Sequence, residues 1–220
     1  MNDVSKKIPR CITQRLARYY LYIQRLDEQD VEWVSSQDMA TELDLTSSTV
    51  RQDISYLDFS GISKRGYEVG RLKNILHAVL GLDRSIGTVI IGAGNFGKAL
   101  FLHDNFRENG FEFKAIVDKD PKLIGKSIES YYIQDIQNLN NIVKKLKIKI
   151  GVIAVPAQAA QEVADQLAAA GVKGILNLST ADIQIPDGCV LVNSRILLDF
   201  IRLAFQINNE NERVRKPTVV

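Results

Sequence analysis

The feature that most constrains the fold is a glycine-rich turn, Gly92-Ala93-Gly94-Asn95-Phe96-Gly97, which follows the apolar run TVII. A GxGxxG hexamer alone is common by chance, but this one separates a strand-like run from a helix-like segment, KALFLHDNF. Asp118 stands roughly 20 residues beyond Gly97, at the end of the next apolar run, FKAIV. A strand, a glycine turn, a helix and an acid at this spacing predict a dinucleotide-binding βαβ unit.

The residue types of this unit suit a dinucleotide for physical reasons. Glycine allows a sharp turn close to a pyrophosphate, and a helix N-terminus offers that anion free N–H groups and a positive potential. The Asp118 carboxylate accepts hydrogen bonds from ribose hydroxyls and repels the 2′-phosphate of NADP, so the expected cofactor is NAD(H). The alternative is a tight turn with a structural role only.

A second loop, Val155-Pro156-Ala157-Gln158, follows a later apolar run and opens a helix. Ligands of open α/β sheets bind at the carboxyl ends of the strands, so this loop is expected beside the nicotinamide half. The alternative is an ordinary proline at a helix start. The residues expected to bind the cofactor are Gly92, Ala93, Gly94, Asn95, Phe96, Gly97, Asp118, Val155 and Pro156.

The second half of the chain has the pattern of an α/β domain. Five apolar runs, TVIIG, FKAIVD, IGVIAV, GILNL and CVLVN, alternate with helical segments. Continuous apolar runs, rather than alternating polar and apolar residues, are typical of a parallel sheet covered on both faces. We therefore predict a Rossmann-like fold for this half.

The first half has a different pattern. A three-to-four-residue apolar repeat predicts a first helix from Pro9, as its first helical position, to about Asp27, and residues 31–34 favour a short strand. Ser35 and Asp38 have capping-box spacing at the start of a second helix that ends near Leu43. A short third helix follows the hydroxyl-rich residues 46–49, and a basic, glycine-flanked hairpin leads into a strand over 67–69 and a helix over 71–81. This order predicts a winged helix-turn-helix.

Side chains on the first turns of a recognition helix reach base edges in a DNA major groove. Arginine favours guanine and glutamine favours adenine through bidentate hydrogen bonds, and a basic hairpin tip suits a narrow minor groove. The alternative is a three-helix module that docks a protein. The residues expected to contact DNA are Ser47, Thr49, Arg51, Gln52, Lys64, Arg65, Gly66 and Tyr67.

The net charge of +2 hides an uneven distribution. The first 25 residues hold a basic cluster, whereas residues 26–44 hold acids and no base. Phosphate neutralisation needs local charge, so this pattern is compatible with a DNA-binding face, and equally with a solvated helix face. The basic cluster consists of Lys6, Lys7, Arg10, Arg15, Arg18 and Arg25.

The expected organisation is an α/β chain of two domains and a C-terminal helix. Residues 1–83 form the winged helix, 84–193 the Rossmann-like NAD(H) domain, 194–210 a dimerisation helix and 211–220 a polar tail. The segment from Ile196 to about Ile207 is apolar around most of its circumference, so it must be buried, and a partner subunit is one place.

Other features exclude several protein classes. No run approaches the roughly 18 apolar residues of a membrane span and no apolar signal core follows MNDVSKK, which predicts a cytoplasmic protein without a membrane partner. Cys11 and Cys189 form no CxxC motif, and the two histidines belong to no metal-ligand cluster, so no metal is expected. A thiol switch at these cysteines is an alternative to inert thiols.

No catalytic residue is predicted. A Rossmann fingerprint serves NAD-dependent oxidoreductases equally well, but the chain has no Tyr-x-x-x-Lys pair and neither His77 nor His103 has a carboxylate partner by motif. About 135 residues also leave little room for a substrate domain. An oxidoreductase and a dinucleotide-gated protein-interaction module remain the rival functions.

The chain resembles the Rex family of redox-sensing transcriptional repressors along nearly its whole length. The resemblance rests on the head run SSQDMATELDLTSSTVRQDISYL, the wing SKRGYEV, the turn GAGNFG, the segment AVPAQAAQEVADQLAAAGVKGILNLS and the last apolar helix, all in order. It implies a homodimer whose C-terminal helices cross into the partner subunit. The dimer would bind a palindromic double-stranded operator. NADH would release the dimer from DNA, whereas NAD⁺ would permit repression. Arg51 and Gln52 would then read the major groove and Arg65-Gly66 the minor groove.

Three positions depart from the family pattern. Members commonly carry an arginine after a tyrosine pair in the first helix, a tyrosine in the helix after the glycine turn and an acidic-aromatic pair at the start of the last helix. This chain has Leu21, His103 and Arg195-Ile196 there. In the family these groups form the relay that distinguishes NADH from NAD⁺. The hypothesis is therefore a redox response that is weakened, lost or rewired.

Overall fold

The computed structural model describes residues 8–215, which form two compact units, one ending at Arg84 and one beginning at Ser85. The first unit contains α1 (Arg10–Glu28), β1 (Trp33–Val34), α2 (Ser36–Leu43), α3 (Ser47–Ser55), β2 (Tyr67–Glu68) and α4 (Val69–Val79). This is the predicted order of a winged helix-turn-helix. Pro9 lies at the N-cap of α1, with extended ψ, and not at the first helical position.

The core of the first unit forms around α1. Leu16, Tyr19 and Ile23 recur along one face of this helix and are fully buried. Met39 from α2, Ile54 from α3 and Leu72 from α4 belong to the same apolar cluster. The 3.6-residue repeat of the α1 sequence thus places one apolar stripe against three other helices.

The wing is fixed by a short antiparallel pairing of β1 with β2, in which Val34 lies opposite Tyr67. Gly66 has a φ of +96°, and a Cβ at this position would overlap the carbonyl oxygen of Val34. Only glycine fits this close backbone approach. Val69, predicted as the end of a strand, is instead the first residue of α4.

The second unit contains one six-stranded, fully parallel sheet. Five strands correspond to the predicted apolar runs: β3 (Ile86–Ile91), β4 (Phe111–Asp118), β8 (Ile150–Ile153), β9 (Gly174–Asn177) and β10 (Val190–Asn193). The edge strand β7 (Gln134–Asp135) is two residues long and has no apolar run, so no sequence pattern predicted it. The six strands lie in the order β10-β9-β8-β3-β4-β7.

Helices and smaller elements complete the second unit. The helices between the strands are α5 (Asn95–Phe101), α6 (Asn105–Glu108), α7 (Leu139–Lys145) and α8 (Ala157–Ala170). Between β4 and α7 the chain also forms a hairpin of β5 (Ser127–Ile128) and β6 (Tyr131–Tyr132) and a 3₁₀ turn (Ile136–Asn138). α9 (Ile196–Arg215) follows β10. It continues past residue 210, where a polar tail was expected to begin. None of the helices in residues 8–215 is long and apolar enough to span a membrane.

The segment KALFLHDNF, predicted as one helix, is divided between α5 and α6. Both Phe101 and Phe106 pack near Phe113 of β4, with ring centroids 6.1 Å and 5.4 Å away. Residues five positions apart point about 140° away from each other in a continuous helix, so the break lets both rings reach one neighbour.

The capping box of α2 yields a stability prediction. Ser35 Oγ accepts a hydrogen bond from the Asp38 N–H at 3.0 Å, and Asp38 Oδ2 accepts one from the Ser35 N–H at 3.1 Å. Ser35→Ala leaves the Asp38 N–H without this acceptor and should lower the free energy of unfolding by about 1 kcal/mol. Urea denaturation measures the change, and Ser63→Ala in the exposed wing is the matched control, for which no loss is expected.

Candidate functional site

The first candidate surface is formed by α3 and the wing. The Thr46 side chain caps α3 by accepting a hydrogen bond from the Thr49 N–H at 3.1 Å. Ser47 and Thr49 are half-buried on the first turn, whereas Arg51 and Gln52 are exposed. The predicted recognition helix therefore presents its guanidinium and amide groups outward.

A surface cleft of about 380 Å³ lies between α3 and the wing. Arg51 lines it from α3, and its Nη1 donates a hydrogen bond to Ser36 Oγ at 3.1 Å. Lys64 and Gly66 line the cleft from the wing. The fold thus brings together two of the predicted bases, one from each element that was expected to meet DNA.

Arg65 lies outside this cleft lining. Its guanidinium stacks over the Trp33 ring, 4.0 Å from the centroid, and approaches Glu32 Oε1 at 3.5 Å. Both charged side chains are mostly exposed, so the ion pair is weak and Arg65 can exchange it for a phosphate.

Tyr67 occupies a different environment from the one expected. Its side chain is only 7% exposed and its ring packs 5.9 Å from that of Phe59. Burial raises the pKa of the Tyr67 phenol above its ordinary value. Tyr67 also lines the cleft, but its ring supports the wing from the core, where Val34 lies opposite it in the β1–β2 pairing.

The basic residues of α1 make internal contacts. Arg15 pairs with Asp53 of α3, Arg18 donates to the carbonyl of Leu43 at 2.6 Å, and Arg25 pairs with Glu42 of α2. Three members of the basic cluster therefore join helices within the first unit. Lys6, Lys7 and the side chain of Arg10 lie outside the described residues.

Each glycine of the turn in the second unit has a different structural environment. Gly92 has a φ of +106°, and a Cβ there would lie 2.5 Å from the carbonyl oxygen of Ala154. A Cβ on Gly97 would overlap the carbonyl oxygen of Gly92, so the close packing of α5 on the end of β3 needs glycine. Gly94 is the N-cap of α5 and has open space around it.

Asp118 is fixed at the end of β4 by two backbone N–H groups. Its Oδ2 accepts from Ala93 at 2.6 Å, and its Oδ1 accepts from Asp120 at 2.9 Å. The carboxylate is thereby tied to the glycine turn. Each oxygen keeps a second lone pair for a ligand hydroxyl.

A cleft of about 560 Å³ joins most of the predicted cofactor residues. Gly92, Gly94, Asp118, Val155 and Pro156 all line it. Ala93 and Gly97 are buried behind the turn, and Asn95 and Phe96 are exposed outside the cleft lining, with Phe96 at 50%. The carboxyl ends of β3, β4 and β8 converge here, as parallel strands require.

Sequence reasoning missed several residues of this cleft. Glu162 and Gln166 of α8 line it together with Gln158. Their four-residue spacing puts all three on one face of the helix, which was a usable signal. Leu123, Ile136 and Gln137 close the side near Asp118 and come from loop and 3₁₀ positions without any regular pattern.

The three departures from the family pattern have local partners or open surroundings. Leu21 is 60% exposed on α1. His103 lies between α5 and α6, with its ring edge-to-face against Phe106 at 5.8 Å. Arg195 donates a hydrogen bond to Asp182 in the β9–β10 connection, so the base at this position has an acid within its own chain.

Comparison with known proteins decides the family. Residues 7–55 match the family described as "Putative DNA-binding protein N-terminus", and residues 83–181 match "CoA binding domain". The redox-sensing transcriptional repressor Rex of Thermoanaerobacter pseudethanolicus is 35% identical over 93% of this chain and 91% of its own. That of Syntrophomonas wolfei is 38% identical over 93% of this chain and 98% of its own.

The chain belongs to the Rex family. Its fold agrees with the crystal structure of RSP, a Rex-family repressor, with a TM-score of 0.85 at 32% identity over 95% of this chain and 99% of that one. RSP has also been solved with beta-NADH, and with beta-NAD⁺ and operator DNA, with TM-scores of 0.86 and 0.85. The predicted Rex membership and α/β fold class are confirmed, and the curated relatives are named as repressors, not enzymes.

The glycine turn offers a matched pair of variants. Gly97→Ala places a methyl group against backbone, so it should distort the turn and lower the thermal midpoint by several degrees. Gly94→Ala meets nothing within 4 Å and should keep the wild-type midpoint. The Gly94→Ala methyl group would lie in the cleft where a pyrophosphate is expected to bind, so NADH affinity should fall about tenfold or more.

Thermal unfolding and NADH fluorescence titration separate the two effects. Wild-type NADH affinity in Gly94→Ala would show that the pyrophosphate does not bind at this turn.

Proposed function

We propose that this Rex-family chain is a transcriptional repressor that binds operator DNA as a homodimer and senses the ratio of NADH to NAD⁺. The observation that carries the proposal is the pair of RSP structures, one with beta-NADH and one with beta-NAD⁺ and operator DNA, each covering at least 95% of this chain. The two candidate surfaces described above supply one site for each of these ligands.

DNA recognition is proposed for α3 and the wing. Ser47 and Thr49 lie at the start of α3, where they approach the DNA backbone or the base edges. Arg51 and Gln52 make bidentate contacts with bases in the major groove. Lys64 and Arg65 supply positive charge beside Gly66, whose close packing holds the wing in place. A twofold dimer reads a palindromic site.

Cofactor binding is proposed for the cleft at the carboxyl ends of the strands. The N-terminal end of α5 faces the pyrophosphate and Asp118 accepts from the adenosine ribose, which favours NAD(H) over NADP(H). Val155 and Pro156 lie on the nicotinamide side. A dinucleotide changes DNA affinity only through its different affinities for the two states of the dimer, typically about 1–3 kcal/mol.

Dimerisation is proposed through α9. Its apolar side chains, from Ile196 to Ile207, are each more than half exposed in the single chain. In the same unit an apolar cleft of about 540 Å³ on the sheet includes Ile150, Val152, Leu176 and Val192. Apolar surfaces of this extent are stabilised by covering each other, so we place α9 against a second subunit, exchanged between partners.

The proposed location is the cytoplasm, where operator DNA and the NAD(H) pool are both accessible. The described residues hold no membrane-spanning helix, and no group of three or more histidine, cysteine or acidic residues among them is arranged for a metal.

The redox response is proposed to differ from that of other members. Leu21 has no charge to offer, and Arg195 is engaged with Asp182, so an arginine–aspartate relay through these positions cannot form. We expect a response that is weakened, lost or rewired.

Fluorescence anisotropy of a labelled operator duplex tests the function and its regulation. The expected result is tight binding without cofactor or with NAD⁺, and at most partial release at saturating NADH. Complete release by NADH alone, with little effect of NAD⁺, would contradict the altered response and leave the repressor function intact. Absence of selective DNA binding would contradict the function itself.

The dimer proposal is tested by Phe200→Asp. Phe200 is exposed in the single chain, so a charge there should not disturb the fold, but burying it against a partner would be strongly unfavourable. Sedimentation equilibrium should show a shift from dimer to monomer. Asp199→Asn on the same helix is the control, and an unchanged dimer in Phe200→Asp would exclude α9 from the interface.

A further inference from the structure

The recognition helix contains a buried acid. Asp53 directly follows Arg51 and Gln52 on α3, yet it is only 1% exposed. Buried carboxylates need partners, and Asp53 has three hydrogen bonds from α1. Arg15 donates through Nε at 2.6 Å and through Nη2 at 2.7 Å, and the Tyr19 hydroxyl donates at 2.7 Å.

The two residues that donate hydrogen bonds to Asp53 both have raised pKa values. The hydrogen bond to Asp53 raises the pKa of Arg15, which therefore stays charged. Burial, and then the hydrogen bond to Asp53, raises the pKa of Tyr19, which therefore stays a hydrogen-bond donor. Arg15 and Tyr19 therefore both remain hydrogen-bond donors to Asp53 at neutral pH.

Stability alone is a poor explanation for the network. Replacing a buried ion pair by apolar groups of similar volume is often neutral or stabilising, because the charges must be desolvated. A bidentate guanidinium–carboxylate pair, in contrast, fixes distance and orientation together. The other buried residues of α3, Val50 and Ile54, make apolar contacts, which are not directional.

The Arg15–Asp53–Tyr19 network fixes the rotation of α3 about its own axis. Successive residues of a helix are about 100° apart, so Gln52 lies about 100° and Arg51 about 200° around the helix from Asp53. With Asp53 held inward against α1, Arg51 and Gln52 must point outward, as their exposure shows. A small rotation would move both side chains relative to the base edges that they are proposed to read.

We infer that Asp53, held by Arg15 and Tyr19, is a positioning residue that sets the orientation of the base-reading side chains. We expect it to act on sequence discrimination more than on general affinity for DNA, because its hydrogen bonds hold α3 against α1 of the same chain. The inference rests on the proposed DNA-binding function.

The test compares specific with non-specific DNA affinity in full-length variants. The specific probe is the duplex that the wild-type protein enriches from a randomised library, and the reference is a scrambled duplex of equal length. The variants are Tyr19→Phe, Arg15→Lys and the apolar double replacement Arg15→Met with Asp53→Leu. Each should lower the ratio of the two affinities about fivefold or more, the lower end of what one bidentate base contact provides.

Two readouts separate positioning from a structural role. The slope of log affinity against log salt should stay at the wild-type value, since the number of phosphate contacts is unchanged. The thermal midpoint of Tyr19→Phe should fall by only a few degrees, so binding is measured on folded protein. Arg25→Met is the matched control, because Arg25 pairs α1 with Glu42 of α2 and not with α3. Its affinity ratio should equal that of the wild type.

The outcomes are distinct. A wild-type affinity ratio in Tyr19→Phe and Arg15→Lys, or in the folded double replacement, would overturn the inference while leaving the proposed function intact. Equal losses of affinity for both duplexes would also overturn it, because they indicate general destabilisation. Failure of the wild-type protein to enrich any duplex would contradict the proposed function and this inference together.

Discussion

The close approach of Gly97 to the carbonyl oxygen of Gly92 is the contact on which the second unit depends. It brings the first turn of α5 onto the end of β3. The Ala93 N–H of the turn then donates a hydrogen bond at 2.6 Å to Asp118 at the end of β4. One backbone contact therefore orders a turn, a helix start and an acid from the neighbouring strand, and these are the parts that a dinucleotide requires.

In the first unit the same organising role belongs to α1. Its apolar stripe packs against the other helices, and its polar side chains connect to each of them in turn. Arg15 reaches Asp53 of α3, Arg25 reaches Glu42 of α2, and Asp27 accepts from Lys73 of α4 at 2.6 Å. Basic residues near the start of a DNA-binding chain suggest phosphate contacts, but Arg15 and Arg25 instead join α1 to α3 and α2 and hold the scaffold that presents α3.

The divergence at Leu21, His103 and Arg195 has a structural counterpart. Arg195 is bound to Asp182 within its own chain, which satisfies the base at a position where the family resemblance implies an acid. A repressor that keeps the cofactor cleft while the relay positions change can keep dinucleotide binding and alter its coupling to DNA. Coupling depends on the difference in ligand affinity between two states, and that difference is separable from affinity itself.

The sequence by itself determined the order of the main helices and strands within each unit, including five of the six sheet strands. It also determined the Ser35–Asp38 cap and the glycine turn with Asp118, because each of these depends on local patterns or fixed spacing. Only the tertiary structure decided that Tyr67 faces the core, that Arg65 stacks on Trp33, and that Leu123 and Gln137 line the cleft. It also paired Arg15 with Asp53, 38 positions away. Such choices depend on which side chains distant in sequence meet in space, and no local periodicity encodes them.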